Sequence, residues 1–297
     1  MAAMPDIVLS VRDLVVRFPR PDGDGFATVL SGVSFDVFCG ETLVIMGGSG
    51  CGKTTLLNAL IGELPADEGV IRYNLPELGP IDLTQASETE ANALRKRIGI
   101  LFQSGALFSS LTLAENVALP LREHSHVAPD IIDIVVAIKL QQVRMLPHRD
   151  KYPAQLSGGQ KKRAGLARAT ALDPHVLFYD EPTAGLDPVT SSAIDELIID
   201  LSRKLQVTSV VVTHDMNSAF RIADRMIMLD RGRVLRIGPR ADFEHLRDTP
   251  PEQLPTDADR RIRQFLMGCC AGPLTDAEGL SEFEKVLRIG GPRQTTL

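Results

Sequence analysis

Apolar and polar positions alternate through residues 7–18 (IVLSVRDLVVRF) and again through 33–38 (VSFDVF), the period-two pattern of half-buried strands. The turn-forming run 22-DGDG-25 lies between them, which predicts an antiparallel sheet at the start of the chain. A different pattern follows. Residues 42–46 (TLVIM), 176–179 (VLFY) and 208–212 (TSVVV) are short apolar runs of the kind found in strands buried on both faces. Pro and Gly punctuate 65–80, while helical patterning resumes at 91–96 and dominates from about 113 to 172. Strands alternating with helices predict an α/β domain with a largely parallel sheet. From about residue 240 the chain turns rich in Pro, Asp and Arg, with short helical pieces near 258–267 and 281–288. That shift predicts a main domain over 1–240 and a C-terminal extension over 241–297.

Composition narrows the classes without choosing among them. The 297 residues are 44% hydrophobic and 24% charged, an ordinary globular balance. A formal net charge of -6 argues against nucleic acid as the main partner. No apolar run approaches the roughly 18–20 residues that span a bilayer, and MAAMPDIVLSVRDL lacks the features of a signal peptide. A cytosolic location is therefore expected, with any membrane role reached through a partner. Cys39, Cys51, Cys269 and Cys270 have neither disulfide-framework nor zinc spacing and read as reduced thiols.

The chemistry begins after the strand 42–46. Residues 47-GGSGCGKTT-55 match GxxxxGK[ST] between a strand and a helix over 53–61. Backbone N–H groups of Gly47, Gly48, Ser49, Gly50, Cys51 and Gly52 can turn inward onto phosphate oxygens. Lys53 reaches the β- and γ-phosphates, the Thr54 hydroxyl suits Mg²⁺, and Thr54 and Thr55 complete the expected ATP-binding stretch. Gly62 is the expected residue just past that helix. Asp180 and Glu181 stand side by side at the end of 176–179, where like charges repel and add nothing to stability. In a P-loop fold Asp180 holds Mg²⁺ through water, and Glu181 is placed to polarise the attacking water.

A second helix start, 156-LSGGQ-160, has capping-box spacing between Ser157 and Gln160. The box alone leaves Gly158 and Gly159 unexplained, and open N–H groups there would suit an anion. Lys161, Lys162 and Arg163 follow and read as a solvated helix face. Cys51, beside a helix N-terminus, is either a thiol of depressed pKa, sensitive to thiol reagents without nucleotide, or a silent small residue.

With P-loop, LSGGQ, strand-plus-DE, 184-AGLD-187 and a strand-ending His214 in this order, residues 7–240 resemble the ABC-type ATPases. The resemblance implies a P-loop NTPase fold with a RecA-like parallel-sheet core, an N-terminal antiparallel β subdomain and a helical subdomain over about 104–165. It implies ATP and Mg²⁺ as ligands and a homodimer in which Ser157, Gly158, Gly159 and Gln160 of one copy face the γ-phosphate on the other. Glu181 would be the general base, His214 the γ-phosphate switch and Asp187 a cross-dimer contact. Gln103 would touch Mg²⁺ and sense the membrane partner, and Phe18 would stack on adenine in place of the usual tyrosine. His124 and His126 are expected as exposed loop residues.

Residues 102-FQSGALFSSLTLAENVALPLREH-124 further resemble the ATPases of MCE-type (Mla-like) phospholipid transporters, as does the short tail piece 261-RIRQFLMG-268. That implies an integral membrane permease, an MCE-type lipid-binding protein and a small cytosolic regulatory subunit as partners. It also places the chain peripherally on the cytoplasmic face of the inner membrane. Ala106, Leu107, Phe108, Leu111 and Leu113 would offer an apolar docking surface, or serve as core. The alternatives are an ABC ATPase for another cargo, such as an amino acid or a lipoprotein, and a soluble non-transport ABC ATPase. A nucleotide-gated scaffold with little turnover would require Glu181 to be dispensable.

Overall fold

The computed structural model describes residues 6–20, 23, 25–269 and 272–276. Part of the expected 22–25 turn, Cys270 and the expected helix at 281–288 lie outside the described residues. The chain divides into two compact units, one ending at Arg240 and the other beginning at Ala241.

In the first unit, strands β1 (Ile7–Pro19) and β2 (Phe26–Phe38) pair antiparallel. Strand β3 (Thr42–Gly47) is buried along its whole length and leads through a tight loop into helix α1 (Lys53–Leu60). Next come β4 (Glu68–Leu75), β5 (Gly79–Asp82), α2 (Glu88–Arg95) and β6 (Ile98–Leu101). Helices α3 (Leu113–His124), α4 (Pro129–Gln142) and α5 (Gly158–Ala169) pack against one another. Then β7 (Val176–Asp180), α6 (Pro188–Leu205), β8 (Thr208–Val212), α7 (Met216–Ile222), β9 (Arg225–Asp230) and β10 (Arg233–Pro239) complete the unit.

Two sheets result. One is four-stranded in the order β2-β1-β4-β5, antiparallel throughout. The other is six-stranded in the order β10-β9-β3-β8-β7-β6, parallel except for β10. The first presents Leu9, Leu14 and Phe35 to a core shared with Leu56 and Leu60 of α1 and with Phe178 and Val210 of the second sheet. Two corrections concern elements. Residues 65–80, noted only for Pro and Gly, contain β4, whose alternation buries Ile71, Tyr73 and Leu75. The helix that follows LSGGQ ends at Ala169 with Thr170 as its C-cap, short of the expected 172 or so, and Asp173 before Pro174 turns left-handed at φ 50°.

In the α-helical part, Asn116 is fully buried and ties down the preceding loop. Its amide donates to Phe108 O, Leu111 O and Thr112 O, while its Oδ1 accepts from Phe108 N at 2.8 Å. Leu113 is core, whereas Phe108 remains 51% exposed, so the expected apolar patch is split between the two alternatives. His124 closes α3 instead of lying in a loop, and its side chain is exposed as expected.

The second unit opens on helix α8 (Arg240–Asp248), which starts one residue before the boundary, and continues to α9 (Asp257–Met267). Thr256 caps α9 by accepting from Asp259 N, and Gly268 at φ 62° ends it. Phe243, Leu246, Ile262 and Leu266 are buried.

Candidate functional site

Parallel strands all present their carboxyl ends to the same edge of a sheet, and ligands bind where loops leave that edge. Here β3, β8, β7 and β6 are neighbours. Their ends deliver, in order, the loop after Gly47, His214, the Asp180–Glu181 pair and Gln103. Residues from four separate stretches thus converge for one topological reason.

The loop between β3 and α1 depends on glycine for two distinct reasons. Gly47 has φ 155°, and a Cβ there would sit 2.3 Å from Leu229 O. Gly52 has φ 105° and precedes α1 without any side-chain cap, so the first N–H groups of the helix stay open toward the loop. Ser49 and Gly50 form the exposed crest of the loop, and Gly48 is half-buried. Lys53 donates to Gly47 O at 2.7 Å and Gly48 O at 2.9 Å, arching over it. Thr54 is exposed on the first turn of α1 and Thr55 is half-buried. Gly62, φ 76°, follows the Ile61 cap as expected.

Cys51 requires a correction. It is buried, its Cβ side packed in the loop, and burial pushes the thiol pKa up against the opposing charge of Lys53. Burial and the raised pKa both oppose the depressed-pKa expectation and favour the silent one.

Asp180 lies half-buried at the end of β7. Burial first, then the charge of Glu181, raises its pKa, while Lys162 and Lys53 oppose the shift. Glu181 adopts φ 46°, a left-handed backbone that costs a side-chain-bearing residue roughly 1–3 kcal/mol and is common at functional sites. Its N–H donates to Val212 O at 2.9 Å, which fastens it to the end of β8. The carboxylate consequently reaches His214, with Oε1 2.9 Å from Nδ1 and Oε2 accepting from the His214 backbone N–H at 3.3 Å. The Glu181 side chain is 13% exposed and that of His214 65%, so the pair has one sheltered and one solvent-facing partner.

Ser157 caps α5 by accepting from Gln160 N, and Gln160 Oε1 accepts from Ser157 N at 3.0 Å, the expected capping box. The structure also supplies an intrachain reason for one glycine. A Cβ on Gly159 would stand 2.5 Å from Thr190 Cγ2, whereas on Gly158 it would meet only Leu186 Cδ2 at 3.3 Å. Thr190 is itself held by Asp187, which caps α6 through Val189 N and Thr190 N at 3.0 Å each. Hydrogen bonding to Thr190 keeps the Asp187 carboxyl below its usual pKa. Phe18 is 38% exposed and pairs with Ala27 in the sheet whose Leu30 abuts Gly52.

Lys162 is the residue the sequence reading misplaced. It is not on a solvated face: it is 4% exposed and donates to Glu181 O at 2.9 Å. Burial lowers its pKa, opposed by Asp180 and Glu181. Its position was legible in principle. Gly159, Lys162 and Leu166 fall at helical spacing on the buried face of α5.

The oxygen donors Thr54, Asp180 and Gln103 form the hard donor set that suits Mg²⁺. Among the described residues no cluster of three or more His, Cys, Asp or Glu could hold a metal by itself. The pattern of the ABC transporter family matches residues 30–184, just over half of the chain. The chain belongs to the ABC transporter family. It is 38% identical to the probable ribonucleotide transport ATP-binding protein mkl of Mycobacterium leprae, over 93% of this chain and 72% of that protein. The corresponding mkl protein of Mycobacterium tuberculosis is also 38% identical, and this chain spans 66% of its length. It is 36% identical to the intermembrane phospholipid transport system ATP-binding protein MlaF of Escherichia coli K12, over 90% of this chain and 91% of that protein. Among solved structures, a dimeric ATP-binding cassette in a post-hydrolysis state with ADP and Pi superposes with a TM-score of 0.70 at 30% identity. It covers 78% of this chain and 98% of its own. The cassette cbiO1 of Clostridium perfringens gives 0.71 at 31%, over 88% and 99%. The α/β fold is that of an ABC ATPase, and the protein is the ATP-binding, ATP-hydrolysing subunit of an ABC transporter. No helix among the described residues is long and apolar enough to cross a membrane.

Proposed function

We propose that this ATPase energises phospholipid transport by a separate integral membrane permease working with an MCE-type lipid-binding protein. The carrying observation is the length of the match to MlaF proteins. It runs over 91% of the Escherichia coli protein and 89% of the Haemophilus influenzae one, so this chain and those relatives correspond nearly end to end. Identity of 38% to proteins named for ribonucleotide transport makes nucleotide cargo the reading to test against. The ATPase domain would occupy 1–240 with a helical subdomain at about 104–165, leaving 241–297 as an extension. The chain would sit on the cytoplasmic face of the inner membrane through its permease, accompanied by a small regulatory subunit.

In the proposed mechanism two copies pair head to tail. The loop 47–52 and the N-terminus of α1 bind the phosphates by backbone N–H groups, with Lys53 leaving Gly47 O and Gly48 O to meet them. Phe18 stacks on the adenine. Thr54, Asp180 and Gln103 would hold Mg²⁺, which would supply charge neutralisation on the phosphates when bound. Glu181 accepts the proton of the attacking water, and His214, already bound to that carboxylate, reads the γ-phosphate. Ser157, Gly158, Gly159, Gln160 and Asp187 of the second copy close the site.

The test is to tag the chain in its host, extract membranes in mild detergent and identify the proteins and lipids that come with it. A polytopic permease, an MCE-domain protein and enriched phospholipid are expected. A permease with a soluble solute-binding protein, or enriched nucleotide, overturns the cargo. Recovery only with ribosomes or DNA overturns the transport assembly.

A further inference from the structure

Building on the role of Glu181 as general base, we propose that Lys162 is the positioning residue for Glu181. Through it, helix α5 sets the aim of the base within the same subunit.

Three contacts make α5 a rigid link. At its start stand the signature residues, capped by Ser157. Midway, Lys162 Nζ donates to Glu181 O at 2.9 Å. Toward its end α5 lies directly on the loop that follows Gln103. A Cβ on Gly165 would come 2.8 Å from Gly105 O, and Arg168 donates to Ala106 O at 2.5 Å. Both loop residues have left-handed backbones, Gly105 at φ 78° and Ala106 at φ 47°, so the loop has a fixed shape against the helix. A displacement of that loop moves α5, and a displacement of α5 moves the donor on Glu181 O.

Glu181 is the residue on which such a pull has most effect. Its backbone is left-handed, and its N–H is fixed to Val212 O at 2.9 Å. Among the described residues its carbonyl accepts from Lys162 Nζ and from Ala184 N at 3.2 Å. The peptide before Glu181 is therefore anchored to the sheet, and the one after it to α5 and the 184 turn. The torsions between those two anchors determine where the carboxylate points, and at present it points to His214 Nδ1 at 2.9 Å.

The choice of residue type supports the same reading. A buried ammonium is costly, and a well-packed apolar side chain at the same place is commonly more stable. Lys162 is 4% exposed, yet it retains a cationic head directed at the peptide of Glu181 and close to Asp180. An apolar residue would pack α5 equally well but would leave the peptide of the base attached to the sheet and the 184 turn alone.

The experiment uses the purified full-length chain, with steady-state MgATP hydrolysis and thermal unfolding measured for wild type, Lys162→Met, Lys162→Arg and Glu181→Gln. Lys162→Met is expected to lower kcat about 10- to 100-fold, as an ångström-scale misplacement of a catalytic group does. KM for ATP should stay within about twofold, because the phosphate-binding loop is untouched. Lys162→Arg, which keeps a cationic donor, should recover kcat to within roughly threefold of wild type. Unchanged kcat in Lys162→Met overturns the proposal. So does a joint fall of kcat, ATP affinity and melting temperature that Lys162→Arg does not rescue, since that is the signature of packing alone. Should Lys162→Met not fold, Lys162→Gln, too short to reach the carbonyl, carries the same expectations. A Glu181→Gln variant with wild-type kcat overturns the general-base role itself, and this proposal with it. Loss of activity in Glu181→Gln with none in Lys162→Met overturns only the positioning role.

Discussion

Helices α1 and α5 both begin beside glycines, but their first turns are finished in opposite ways. α1 follows Gly52 in a left-handed conformation and has no side-chain cap. α5 follows Ser157 in an extended conformation and carries a complete capping box. The first arrangement leaves N–H groups unsatisfied by the protein and keeps them for an external anion. The second satisfies Gln160 N internally, which makes a stable helix start whose glycine N–H groups can be presented to another surface. Glycine serves different ends accordingly. At 47 and 52 it permits a backbone that side chains resist, whereas at 159 it makes room for Thr190. A glycine-rich sequence before a helix is therefore not one signal but two.

The sharpest way to break that distinction is at Gly47. Gly47→Ala puts a methyl 2.3 Å from Leu229 O at a φ of 155°, and should cost about 3 kcal/mol of stability along with nucleotide binding. Denaturant unfolding with and without ATP measures both. If the alanine is tolerated, the loop is softer than its geometry implies. Gly159→Ala comes next, at about 2 kcal/mol, because the obstacle is a methyl group and not backbone. Pairing it with Thr190→Ser, which removes that methyl, should return most of the loss. Stability restored without activity would separate the packing role of Gly159 from a role at the nucleotide of the second copy.

Ser157→Ala removes the cap of α5 and should lower stability by about 1 kcal/mol, read from the denaturant midpoint. A much larger loss of ATP turnover than of stability would show that the hydroxyl acts beyond its own helix. The smallest effect concerns Cys51. A thiol whose pKa is raised stays protonated at a pH where an ordinary thiol ionises, so its thiolate fraction is lower at every pH below its own pKa. Alkylation of Cys51 should trail that of exposed Cys39 and keep climbing above pH 9. Mass mapping of a timed alkylation series checks this, and early labelling of Cys51 would mean that the loop opens readily.

Much of the site was readable because its chemistry is local. The spacing of Gly47, Gly52, Lys53 and Thr54, the pair Asp180–Glu181 and the capping box at Ser157 and Gln160 are properties of a few consecutive residues. Strand β8 and the end of α1 at Gly62 were equally legible, since a short apolar run and a glycine past a helix act within one element. Strand β4 was missed although its alternation was present, because Pro and Gly around it drew the reading toward a loop. Lys162 was misread for a related reason: a run of three cations looks solvated unless the helical phase is counted.

A GxxxxGK[ST] loop, a pair of acids, a strand-ending histidine and a second capped glycine-rich helix start are all legible in this chain without its fold. Each is written in contiguous residues, where backbone preferences and spacing suffice. Only the packed molecule shows that Glu181 turns left-handed toward His214, that Cys51 is buried, that Gly159 yields space to Thr190, and that Lys162 donates to the carbonyl of Glu181. Those outcomes depend on which strand ends lie side by side and which helix packs across them. They are settled by contacts between residues far apart along the chain, which no local pattern encodes.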